Sequence, residues 1–189
     1  MSSGTVAVRY AKALLAYAVE QGCQDEVYEQ TSSLLRHVTQ YPDIMKRVSD
    51  PTLSVESRQN LLITAFMDED CTPACTAITD FVRLVVRAGR GTSTVFIASA
   101  YRDLYRKKYN VVPVEIRTAH HVSDGQRAEL ERMIRERAKS DRIEWNEVID
   151  ESLIGGFVLQ IDDRRIDASV ARKLRTVERE LIAKNSRII

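Results

Sequence analysis

The stretch Leu153-Ile154-Gly155-Gly156-Phe157-Val158-Leu159-Gln160-Ile161-Asp162-Asp163-Arg164-Arg165-Ile166-Asp167-Ala168-Ser169-Val170 carries three structural devices in one short span. The Gly155-Gly156 pair permits a bend or a close backbone approach, because glycine lacks the Cβ that would clash. Phe157, Leu159 and Ile161 alternate with Val158 and Gln160, which is the period of a strand. Asp162-Asp163 is a polar turn between two extended runs, so the segment predicts a β-hairpin. Ser169 is placed to cap a following helix. These are scaffold devices. No nucleophile, general base or metal-ligand set is arranged here.

Upstream of this span, Val112, Val114 and Ile116 alternate after Asn110 and predict a strand. Ser123 stands three residues before Gln126, a capping box that opens a helix with Leu130, Met133 and Ile134 on its apolar face. Ile143, Trp145 and Val148-Ile149 predict a second strand. Downstream, Val170, Leu174, Val177 and Leu181 mark a final helix. Strand, helix, strands, helix describes a small α+β domain over residues 110–189, with a short junction near 107–113.

Residues 1–109 read as helices. Val6 or Ala7, Tyr10, Leu14 and Tyr17 form one stripe, and interspersed alanines keep that helix slim. Val27, Thr31, Leu34 and Val38 form a second stripe that stops near Tyr41, before Pro42. A short turn around Ile44, Met45 and Val48 follows. Ser54 caps a helix carrying Leu61, Leu62, Ala65 and Phe66. Thr72-Pro73 is an N-cap and N1 pair for the next helix, whose face is Ile78, Phe81, Val82 and Val85 and which ends at Gly89. Thr92 or Thr94 opens the last helix, with Phe96, Ile97, Ala100 and Leu104. Short connections between amphipathic helices predict a compact antiparallel bundle.

Composition excludes several classes. The chain has 189 residues, 44% hydrophobic and 29% charged, with a net charge of +1. No global field recruits nucleic acid or an anionic membrane. Cys23, Cys71 and Cys75 have no metal-site spacing and read as free thiols in a reducing compartment. No secretory signal, transit peptide or membrane span is visible.

Candidate chemistry is sparse. Gly89-Arg90-Gly91 reads as a helix end and turn, since no strand feeds it and no Gly-Lys-Ser/Thr follows. His37 reads as surface polar. His120-His121 and Asp162-Asp163 would serve a metal-dependent enzyme only if they converged. Tyr101, Tyr105 and Tyr109, interleaved with Arg102, Arg106, Lys107 and Lys108, would serve a helical RNA-binding protein by stacking and phosphate contact; the net charge favours packing in the bundle instead. Phe81, Val82, Leu84, Val85 and Val86 are more apolar residues than one helix face needs, which favours a groove for a partner's amphipathic helix.

Three blocks carry a family resemblance: Arg9-Tyr10-Ala11-Lys12-Ala13-Leu14, then Phe81-Val82-Arg83-Leu84-Val85 through Gly89-Arg90, then Leu153 to Phe157 with Asp163 to Val170. In this order, across almost the whole chain, they resemble the delta-subunit family of bacterial F-type ATP synthases, equivalent to the mitochondrial oligomycin-sensitivity-conferring protein. Asp162 and Ala168 stand where that family commonly has glycine, and Glu151 where proline is frequent, which bears on turn geometry.

The resemblance implies an N-terminal six-helix bundle followed by a small C-terminal α+β domain, and a non-catalytic peripheral-stalk (stator) role with no cofactor or metal. It implies that the first and fifth helices bind the N-terminal helix of an alpha subunit through Tyr10, Ala13, Leu14, Phe81, Val82 and Val85. On this basis Val85→Asp is expected to weaken that binding while the bundle stays folded. The C-terminal domain would bind the end of the b subunits, with Gly155 and Gly156 shaping its fold or that contact. No nucleic acid is implied, and the membrane would be met only through the complex, at its cytoplasmic face.

Overall fold

The computed structural model describes residues 3–67, 73–138, 140, 142–162 and 164–185. Thr72, Cys71 and Asp163, which enter the expectations above, lie outside the described residues. The chain divides into two compact units, Met1–Tyr109 and Asn110–Ile189.

Among the described residues the first unit holds six α-helices: α1 (Ser3–Glu20), α2 (Gln24–Gln40), α3 (Asp43–Ser49), α4 (Val55–Phe66), α5 (Thr76–Arg87) and α6 (Thr94–Tyr109). α6 is its axis, packed along both α1 and α2, while α4 lies on α5. The alanines of α1 set the closeness of that packing. Ala7, Ala11 and Ala18 are buried with Leu14 and Leu15, and no long side chain holds the neighbouring helix away. Ser54 caps α4 by accepting the Ser57 N–H at 3.0 Å, as its position predicts. Gly89, at φ +67, ends α5 in the left-handed conformation that glycine takes without strain.

Four local expectations change. The segment expected to be a turn around Ile44 is the helix α3. The start of α5 lies at Thr76 rather than at Pro73. Its N-cap is Cys75, which makes no side-chain cap. The reason is tertiary: buried Gln30 accepts the Cys75 N–H at 3.0 Å and donates to the Pro73 carbonyl at 3.2 Å, holding this segment off the helix axis.

The buried stripe of α6 is Thr94, Ile97, Ala98, Tyr101 and Tyr105, and Phe96 faces solvent. Two tyrosines thus take the place expected for Phe96, Ala100 and Leu104, because each hydroxyl finds a partner on α2. Tyr101 donates to the Gln24 carbonyl at 3.0 Å, and Tyr105 bonds the Asp25 carboxylate. The Tyr105 ring stacks on Tyr28 with centroids 4.2 Å apart. His37 is half-buried and bonds the Ala65 carbonyl at 2.9 Å, so it ties α2 to α4 and is not merely surface.

The second unit is a four-stranded sheet in the order β2-β1-β3-β4, from β1 (Val111–Thr118), β2 (Arg142–Ile149), β3 (Phe157–Ile161) and β4 (Arg164–Asp167). β1 and β2 run parallel, and the chain crosses between them through α7 (Asp124–Ala138). β3 is antiparallel to β1 and forms a hairpin with β4. α8 (Val170–Asn185) follows. The capping box forms, with the Ser123 N–H donating to Gln126 Oε1 at 3.2 Å. Val114, Ile116, Leu159 and Ile134 of α7 make the core, surrounded by half-buried Val112, Leu130, Trp145 and Phe157. Mixed α+β architecture, with a helical part followed by a small sheet-containing part, is therefore the fold class.

Candidate functional site

A groove of about 300 Å³ runs between α1 and α5, lined by Tyr10, Ala13, Leu14, Tyr17, Asp80, Phe81 and Leu84. Four of these come from α1 at steps of three and four, so one helical stripe builds one wall. Buried Leu14 and Phe81 form the floor. Leu84 projects from α5 and is 58% exposed, too much for a residue that serves only the core.

The rim is polar. The Tyr17 hydroxyl donates to Asp80 Oδ2 at 3.3 Å and closes one end of the groove. Partial burial, and then the Asp80 carboxylate, push the Tyr17 phenol up, so it stays a donor. Arg83 lies 3.6 Å from Asp80, and the Arg90 guanidinium sits 5.4 Å from the Tyr10 ring centroid. An apolar floor with charges of both signs on the rim is suited to one face of an amphipathic helix.

Of the residues expected at this surface, Tyr10, Ala13, Leu14 and Phe81 do line it. Val82 and Val85 do not: both are 0% exposed and belong to the core. They lie on the opposite edge of the broad apolar face of α5, turned into the bundle. Tyr17, Asp80 and Leu84 complete the groove. A signal for Leu84 exists in the sequence, since Leu84 and Val86 are the large apolar residues of α5 outside the Ile78, Phe81, Val82, Val85 face.

The RNA reading loses its surface. Tyr101 and Tyr105 are buried, and Tyr109 is half-buried with its ring centroid 4.6 Å from that of Tyr105, so this stripe does not offer free aromatic faces to bases. The metal reading loses its convergence. The Asp162 N–H donates to the Pro113 carbonyl at the start of β1, whereas His120 and His121 lie beyond its end at Thr118. At ~3.3 Å per residue these groups stand on the order of 20 Å apart. Among the described residues, no three His, Cys, Asp or Glu side chains gather to hold a metal.

In the second unit, Gly155 and Gly156 sit where α8 joins the sheet. The Gly155 carbonyl accepts the Val170 N–H at 3.0 Å, and the Ala168 N–H donates to the Phe157 carbonyl at 2.9 Å. Gly156 has φ +77, and a Cβ there would stand 2.5 Å from the Ala168 carbonyl oxygen. Only glycine allows this backbone crossing. Ile154, just before it, holds φ +37 while 71% exposed, a costly conformation for a β-branched residue. Beyond the junction the α8 stripe faces outward: Val170, Leu174 and Val177 are all exposed, and the Leu181 side chain lies outside the described residues. A cavity of about 410 Å³ opens beside the glycines, with Leu130, Met133, His120, His121 and Phe157 among its walls.

Among the described residues, no helix is long and apolar enough to cross a membrane. The family model of the ATP synthase delta (OSCP) subunit matches residues 6–181. The ATP synthase subunit delta of Phocaeicola vulgatus is 33% identical over the full length of both chains. That of Bacteroides fragilis is 36% identical, again over all of both chains. A chain in the cryo-EM structure of the Toxoplasma gondii mitochondrial ATP synthase hexamer shares the fold, with a TM-score of 0.65 at 17% identity, covering 96% of this chain and 98% of that one. The chain therefore belongs to the ATP synthase delta (OSCP) subunit family, the peripheral-stalk component of F-type ATP synthases.

Proposed function

We propose that the α1–α5 groove receives the N-terminal helix of an ATP synthase alpha subunit, and that the second unit holds the end of the b-subunit stalk. The chain then joins the catalytic headpiece to the peripheral stalk at the cytoplasmic face of the bacterial membrane, meets the membrane only through the complex, and acts by binding without turning over a substrate. A rotating shaft exerts torque on the headpiece, and an outer stalk must hold it still for rotation to couple to ATP synthesis. Such a connector needs slow dissociation, and nanomolar binding corresponds to about −12 kcal/mol.

The observation that carries this reading is the groove itself. Its apolar floor of Leu14 and Phe81 opens beside exposed Leu84, on a bundle whose core is otherwise filled with large side chains. Support for the second contact comes from the outward apolar stripe of α8 and the strained, exposed Ile154.

Calorimetric titration of the full chain with a peptide of the alpha-subunit N-terminal helix tests the groove. Leu84→Asp is expected to weaken binding at least tenfold, about 1.4 kcal/mol, while thermal stability is unchanged because Leu84 faces solvent. Undiminished affinity of this variant would sink the assignment.

A further inference from the structure

We propose that the cavity of the second unit is a binding site for a small uncharged ring compound with one hydrogen-bonding group, a phenol or an alicyclic alcohol in class, anchored by the Thr118 hydroxyl. This site is separate from the α1–α5 groove and does not depend on the stalk contact. Val114, Ile116 and Thr118 alternate onto one face of β1 and are its buried residues. Ile134 of α7 packs with Val114 and Ile116, so this face lies under α7. Thr118 is the last of the three. It stands opposite Phe157 of β3, and both line the cavity.

The hydroxyl is out of place in such a wall. Thr118 is only 8% exposed, and its Oγ1 is buried with no hydrogen-bond partner among the described residues. The Thr118 carbonyl accepts the Asp150 N–H at 2.8 Å, so the side chain alone is left unsatisfied. A buried hydroxyl without a partner costs stability, and valine has the same shape without that cost. A residue that only filled space here would serve better as valine. A ligand that brings its own polar group to Oγ1 removes the penalty.

The walls define the rest of the ligand. Ile116, Leu130, Met133 and Phe157 supply apolar surface, with Met133 49% exposed at the open side. The ionisable residues of the lining, His120, His121 and Glu129, are all exposed. An ionic group would reach Thr118 only by leaving water with no opposite charge to meet it, so the deep end selects against carboxylates and amines. About 410 Å³ is within the range of small-ligand sites and admits two fused rings.

The site is formed in advance. The Val122 N–H donates to Glu147 Oε1 at 2.9 Å and the Ser123 N–H to Gln126 Oε1 at 3.2 Å, which fixes the loop between β1 and α7. The glycine side is held by the Val170 N–H, which donates to the Gly155 carbonyl at 3.0 Å. Binding therefore requires little ordering of the protein.

The test titrates the methyl-labelled full chain with 2-naphthol and with naphthalene, which lacks the hydroxyl, and reads the methyl signals of Ile116, Leu130 and Met133. In wild type 2-naphthol is expected to shift them saturably and to bind roughly tenfold tighter than naphthalene. Thr118→Val should reduce 2-naphthol to the affinity of naphthalene, leave naphthalene unchanged, and melt no lower than wild type. Thr118→Ser should keep the preference. Met133→Trp, at an exposed position, should fold and block both compounds. Absence of saturable shifts, equal affinity for the two compounds in wild type, or a preference that survives Thr118→Val would overturn the proposal. A lower melting temperature of Thr118→Val would give the hydroxyl a structural role and overturn it as well.

Discussion

The helical unit buries Tyr101, Phe66, Leu34, Leu62, Ile78 and Ile97 completely, and the groove it carries is bounded by a stripe of α1 and an edge of α5. The mixed unit buries Val114, Ile116, Ile134, Val158 and Leu159, leaves Val112, Leu130, Trp145 and Phe157 half-covered, and turns the α8 stripe outward. The first is a body with ample core of its own, and its binding surface is an indentation in that body. The second is thinner in buried apolar residues, and its exposed apolar helix joins the sheet at the backbone crossing of Gly156. All seven tyrosines lie in the first unit and the one tryptophan, Trp145, in the second. Tyrosine circular dichroism and tryptophan fluorescence therefore report on the two units separately.

The largest effect is expected for Val85→Asp. Its charge would enter a fully buried site with no partner, at a cost of about 4 kcal/mol or more, so the tyrosine signal should be lost at low denaturant while Trp145 reports a normal transition. This reverses the expectation that the bundle survives the substitution. A normally folded bundle would show that the core of the first unit is looser than its burial implies.

Gly156→Ala comes next, at about 3 kcal/mol, with the pattern inverted: Trp145 unfolds early and the tyrosine signal holds. The added methyl meets a backbone oxygen at 2.5 Å in a left-handed conformation, and neither side of that contact is a flexible side chain. Unchanged denaturation of the second unit would mean that the α8 junction is not its weak point.

Acid should weaken both units, the second more, since it has two carboxyls held low by hydrogen bonds where the first has Asp50, bonded by the Thr52 hydroxyl and N–H. Hydrogen bonds from the Ser152 and Ser169 hydroxyls and N–H groups hold the Asp150 and Asp167 carboxyls below the usual range, and both lie in the second unit. A lowered folded value means stabilisation present above the unfolded value and lost as pH falls through the folded one. The Trp145 transition should weaken below about pH 4, and Asp167→Asn should blunt that dependence. A pH-independent Trp145 transition between about pH 5 and 2 would remove these turns from the account.

The smallest effect concerns the hairpin. Asp162 holds φ +51, where glycine is at ease and aspartate is tolerated. Asp162→Gly should change the stability of the second unit by no more than about 0.5 kcal/mol, since relief of strain offsets greater freedom in the unfolded chain. A shift beyond about 1 kcal/mol would show that the aspartate side chain holds the turn.

Much of this architecture is legible in the sequence because it is local. The Ser54 cap, the Ser123-Gln126 box, the stop before Pro42 and the Asp162 turn each depend on a few neighbouring residues, and each forms where expected. The errors share one cause. The start of α5 moved because Gln30, far off in sequence, satisfies its backbone. The α6 stripe moved because Tyr101 and Tyr105 find oxygens on α2, which no periodicity within α6 records. The groove lining was legible on α1, where a narrow stripe leaves one choice, and not on α5, where apolar residues span more than one face and Val82 and Val85 turn into the core.

By itself the sequence determined the succession of helices and strands, the glycine crossing before α8, and a resemblance that names the family. It could do so because caps, turns and alternation follow from short-range backbone geometry. Only the tertiary structure decided that Leu84 faces the groove while Val82 and Val85 are sealed inside, that the tyrosine stripe is core, and that His120 and Asp162 lie at opposite ends of the sheet. Burial is a property of what packs against a residue. Adjacent apolar side chains on one helix are told apart only by the neighbour each one meets.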